Sequence, residues 1–149
     1  MIRALMHSLI AVFYAALLAG CGASEPGGPN DLTAAWFFAF TPSSGSAFLA
    51  NGDTDLSQSG TLVTGDATVF CVHGTGCSLA TFGPVLGSVS GADVTLTMPT
   101  TCSGVASTSA LQMTGTLTAN GFNMGGNYTL AASACNNAEE GTWGAGRPF

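Results

Sequence analysis

His73 and a few carboxylates are the only side chains placed for proton-transfer chemistry. The second histidine, His7, lies near the N-terminus. Acid–base catalysis near neutral pH would therefore run through His73 or through Asp and Glu. His73 stands in Val72-His73-Gly74-Thr75-Gly76, which reads as a turn between strands, and a loop histidine is ordinarily just solvated. No serine stands in a Gly-x-Ser-x-Gly elbow, and no spacing assigns triad partners. Asp53 and Asp55, in Asn51-Gly52-Asp53-Thr54-Asp55, match one arm of a calcium loop. The other ligands and the distal glutamate are missing, so an Asx-rich turn is expected there. Glu139 and Glu140 are adjacent, and neighbours on a strand face opposite sides. They read as charges at a hairpin tip. No enzyme, catalytic residue, metal or cofactor is expected.

Cysteine is the other reactive type, with five copies: Cys21, Cys71, Cys77, Cys102 and Cys135. Cys21 follows Arg3 and an apolar run at residues 9–18, the layout of a secretory signal. The run falls short of the ~20 apolar residues that cross a bilayer, and it ends in small residues with no basic flank. Leu18-Ala19-Gly20-Cys21 resembles the lipobox of bacterial lipoprotein precursors. The resemblance implies cleavage between Gly20 and Cys21, a diacylglyceryl group on the Cys21 sulfur and acylation of the new amino group. Residues 1–20 are then a signal peptide, and the mature protein is held in the cell envelope by the lipid on Cys21. Two or more acyl chains anchor stably where one does not. Gly22 after the cysteine, where that family uses Asp for inner-membrane retention, implies sorting to the outer membrane or cell surface.

The charge balance narrows the partners. The chain has no lysine, and Arg147 is its only arginine besides Arg3, against eight acids. Phosphate neutralisation needs Lys and Arg, so nucleic acid is close to excluded and no nucleic-acid partner is expected. A polybasic grip on anionic lipid is excluded for the same reason. An apolar fraction of 46% nevertheless argues for a folded domain, with polarity supplied by Ser, Thr, Asn and Gly. In an exported domain, Cys71, Cys77, Cys102 and Cys135 imply two disulfides, for which three connectivities exist. Cys71 and Cys77 flank the His73 turn, and cysteines facing across a hairpin fit disulfide geometry. That leaves Cys102 with Cys135. Metal binding competes weakly, because the spacings are not those of zinc sites.

The elements that must position these groups are strands. Residues 21–30, Cys-Gly-Ala-Ser-Glu-Pro-Gly-Gly-Pro-Asn, form a tether whose prolines and glycines block regular structure. A single β domain is expected over residues 31–149. Trp36, Phe38 and Phe40 alternate on one face, as do Leu56, Gln58, Gly60 and Leu62. The same period recurs in Val85, Gly87 and Val89, in Val94, Leu96 and Met98, in Leu111, Met113, Gly115 and Leu117, and from Phe122 to Leu130. A period of two marks half-buried strands. Turns are expected at Gly65-Asp66, Gly91-Ala92-Asp93 and Ala119-Asn120-Gly121. The pattern predicts an all-β antiparallel up-and-down meander of about eight strands closing into a small barrel. A two-sheet β-sandwich is the alternative.

Leu56-Ser57-Gln58-Ser59-Gly60-Thr61-Leu62-Val63-Thr64-Gly65 resembles a hairpin of small bacterial exported β-barrel lipoproteins. The likeness extends loosely over residues 33–146. A remoter resemblance is to lipocalins, whose first-strand tryptophan is covered by an arginine from near the last strand. Trp36 and Arg147 occupy those places, although Ala34 replaces the lipocalin glycine and the middle Thr-Asp-Tyr motif is absent. Gly144, Gly146 and Pro148 surround Arg147, so a solvated tail is expected there instead of stacking.

Trp36, Phe38, Phe40, Met98, Met113, Phe122, Met124 and Tyr128 are the candidates to line an apolar pocket. An eight-stranded barrel either fills with side chains or holds one small ligand. Two functions follow as expectations. One is a membrane-tethered exported lipoprotein binding a small apolar ligand in its interior. The other is a structural or protein-interaction envelope lipoprotein with a filled core.

Overall fold

The structure is a computed structural model describing residues 30–44, 50–73, 79–102, 105–134 and 137–147; the side chains of 50–52, 68–73, 79–82, 102 and 105–108 lie outside that description. The alternating sequence folds into eight strands: β1 (Ala34–Pro42), β2 (Ala50–Ser59), β3 (Leu62–His73), β4 (Leu79–Ser90), β5 (Asp93–Cys102), β6 (Val105–Leu117), β7 (Asn123–Leu130) and β8 (Glu139–Gly146). Each pairs antiparallel with the next, and β8 pairs with β1 to close a barrel. At the seam Phe40 lies opposite Trp143 and Pro42 opposite Gly141. The sandwich alternative is thereby replaced by the barrel.

Following the paired residues around the barrel from Ala34 returns to β1 near Ser44, a stagger of about ten residues. Such a stagger tilts the strands by roughly 40–45° to the axis. Alternation then sorts the side chains. Trp36, Phe38 and Phe40 of β1, Val94, Leu96 and Met98 of β5, and Leu111, Met113 and Leu117 of β6 are buried. On the opposite face Phe37, Leu62 and Leu86 are exposed, and Ser88, Thr95, Thr114, Asn127 and Thr142 form one continuous polar row from β4 to β8. Ser88 and Thr95 share a 2.8 Å hydrogen bond, and Thr97 donates to Gln112 Oε1 at 2.9 Å. A barrel set in lipid needs an apolar outer band, which this row of polar side chains does not supply.

Two expectations about local structure are corrected. Gly65 and Asp66 do not form a turn but lie within β3, opposite Leu56 and Asp55. The turn is Gly60-Thr61, where Gly60 takes φ +62° between the paired Ser59 and Leu62. Because that turn uses two residues, Leu62 points outward at 54% exposure and Val63 takes the inward place. Gly65 is small for another reason: a Cβ there would sit 2.2 Å from the Asp55 carbonyl oxygen. Asp53 and Asp55 are likewise strand residues, exposed on the outside of β2, and not an Asx turn.

Candidate functional site

The interior is built around aromatic rings. Phe38 stacks on Phe40 at 6.3 Å and on Trp143 at 5.7 Å between centroids. Phe40 meets Tyr128 edge-on at 5.4 Å. Trp143 reaches across β7 to β6, and its Nε1 donates to the Thr114 and Asn127 carbonyls at 3.2 and 3.1 Å. The paired Gly115 and Gly126 make this possible, because a Cβ on Gly115 would come within 2.9 Å of the Trp143 ring. Met98, Met113 and Met124 are buried among these rings and the aliphatic residues of the same core. Of the pocket candidates, seven are buried, whereas Phe122 stands before β7 and is only partly buried.

One end of the barrel is closed by the chain that enters it. Asp31 Oδ1 accepts from Thr33 N at 2.8 Å, turning the chain so that Leu32 enters the barrel with 0% exposure. Leu32 N donates to Gln58 Oε1 and Leu32 O accepts from Trp36 Nε1, both at 2.9 Å. Arg147 covers this plug. Its guanidinium carbon lies 5.5 Å from the Trp36 ring centroid and 5.2 Å from that of Phe122. Nη1 donates to the Asp31 carbonyl at 3.0 Å, and the Arg147 amide donates to the Phe122 carbonyl at 3.1 Å. The expectation of a solvated tail is therefore overturned. Two rings, a carbonyl and a backbone bond hold the arginine in place.

The opposite end carries two open clefts of about 540 and 460 Å³. Both include Ala138, Glu139 and Glu140; Thr129, Leu130 and Ala131 line one side, and Ser43, Ser44 and Asn137 the other. Glu139 and Glu140 start β8 rather than capping a hairpin tip. Glu139 Oε1 accepts from the buried Tyr128 hydroxyl at 2.6 Å. Burial, then this bond, then the Glu139 charge raise the Tyr128 pKa well above its ordinary value of 10.0. Deeper in, the buried Thr100 hydroxyl donates to the Ser109 carbonyl at 2.6 Å. Thr54 Oγ1 is fully buried and has no hydrogen-bond partner among the described residues.

Sequence reasoning missed Leu32 and Thr54 and left Trp143 out of the pocket candidates. Trp143 had a usable signal, since Gly141, Trp143 and Ala145 alternate and all are buried. The backbone of Cys71 lies opposite Ala80, that of Cys102 opposite Leu79 and Val105, and that of His73 opposite Leu79. The side chains of these three, all of Cys77 and Cys135, and Cys21 with the signal segment lie outside the described residues. Among the described residues no group of His, Cys, Asp and Glu is placed to hold a metal ion. Comparison with protein-family models, with curated proteins and with solved structures finds no match to this chain.

Proposed function

We propose that this chain is the precursor of a lipid-anchored envelope protein whose β-barrel acts through its surface, with its interior serving as a packed core. The ring cluster of Phe38, Phe40, Tyr128 and Trp143 carries this reading. A small apolar ligand would have to displace contacts that the side chains already make with one another. The hydroxyl-rich outer wall supports an anchor outside the barrel, and Leu18-Ala19-Gly20-Cys21 resembles the sequence that provides one. Residues 1–20 then direct export, Cys21 carries the lipid, residues 21–30 are the tether and residues 31–149 the domain.

Intact-mass analysis of the protein taken from its native membrane tests both halves. The expected species begins at Cys21 and carries acyl chains, and Cys21→Ser either releases the chain from membranes or leaves it unprocessed. An unmodified, soluble chain would refute the anchor. Native mass spectrometry of the lipidated protein should show no further bound species. A stoichiometric small molecule surviving purification would replace the packed-core reading with the ligand-binding one.

A further inference from the structure

We infer that the end of the barrel closed by Leu32 and Arg147 faces the membrane, while the end bearing the clefts at Glu139 and Glu140 is presented away from it. This rests on the proposed lipid at Cys21. The argument begins with where the folded chain starts. Asp31 and Leu32 are fastened to one end by Gln58, Trp36 and Arg147. The turns Gly60-Thr61, Gly91-Ala92 and 118–121 belong to the same end, because the strands run alternately up and down.

Ten residues from Cys21 to Asn30 span at most about 35 Å when fully extended. Strands of 8–13 residues tilted at roughly 40–45° make the barrel roughly 25 Å long. With the closed end toward the bilayer, the tether is free to take any length within its reach. With the barrel inverted, the tether must run back along the whole wall before it reaches lipid. That arrangement consumes most of its span and nearly all of its conformational freedom.

The test uses the full lipidated protein in nanodiscs that contain a lipid bearing a gadolinium chelate on its headgroup. Paramagnetic broadening of backbone amides falls steeply with distance from the bilayer surface. Amides of Gly60, Gly91 and Gly121 should lose most of their intensity, and those of Ser43, Ala138 and Glu140 should keep theirs. The reverse gradient, or equal loss at both ends, overturns the orientation while leaving the anchor intact. Failure of the protein to co-elute with the nanodiscs refutes the anchor, and the orientation with it.

Discussion

Arg147 shows how much one side chain carries in a domain with almost no positive charge. Its guanidinium lies between Trp36 and Phe122 and bonds the Asp31 carbonyl. A cation–π contact contributes about 0.5–2 kcal/mol depending on desolvation, and this site is half-buried. Arg147→Ala should cost about 1–2 kcal/mol in denaturant unfolding. Arg147→Lys should fall between, because an ammonium keeps the charge but not the planar face. An unchanged midpoint for both variants would show that the contact adds nothing. Thr54 presents the opposite case. Its buried hydroxyl has no partner among the described residues, and such a hydroxyl costs free energy, so Thr54→Val should raise stability by about 1 kcal/mol. Tyr128 sets the alkaline limit. Its folded pKa lies above its unfolded value, so its contribution is fully present below pH 10 and declines as pH rises beyond that value. The only other tyrosine of the chain is Tyr14, so a protein cleaved before Cys21, as proposed, keeps Tyr128 alone. Phenolate absorbance should therefore appear only together with unfolding, and Tyr128→Phe should remove this source of alkaline sensitivity.

Among the strands, glycines serve two distinct purposes, and substitution separates them. Gly126 allows close approach: a Cβ there would meet the Thr114 carbonyl oxygen at 2.1 Å and Gly115 Cα at 2.5 Å. Gly126→Ala should cost about 3 kcal/mol or prevent folding, since the obstacle is backbone that cannot step aside. Gly60 supplies conformation instead. It has nothing within 4 Å but takes φ +62°. Gly60→Ala should cost only about 1–2 kcal/mol, and Gly60→Asn less, because asparagine tolerates the left-handed region. Equal losses at the two positions in thermal or denaturant unfolding would refute this division. Strand alternation was legible wherever apolar residues stood two apart, as in Val94, Leu96 and Met98. It misleads at Leu62, because the period of two runs through Gly60, which the structure uses as the turn.

Across the whole molecule, Leu32 joins the incoming chain to the body of the barrel. It fills the closed end, and its carbonyl satisfies the Trp36 indole. Leu32→Ala should cost about 2–4 kcal/mol, because truncating a fully buried leucine leaves a cavity. The loss should appear in one cooperative transition, observed equally by tryptophan fluorescence and far-UV circular dichroism. Separate transitions would show that the closed end melts independently of the barrel.

The period-two patterning of β1 and of β4 to β7 already implied antiparallel strands, and the short turns between them implied a meander. Both follow from local geometry: side chains alternate across a strand, and a turn glycine needs no distant partner. The absence of lysine argues against nucleic acid without reference to any fold. Barrel closure is different, because pairing Phe40 with Trp143 joins positions at opposite ends of the domain. The site at the closed end depends on the same closure. Trp36, Phe122 and Arg147 are far apart in sequence and meet only because β8 returns beside β1. Glycines beside a terminal arginine predict freedom when read locally. The rings and the carbonyl that remove it come from distant parts of the chain, and only the closed barrel brings them within reach.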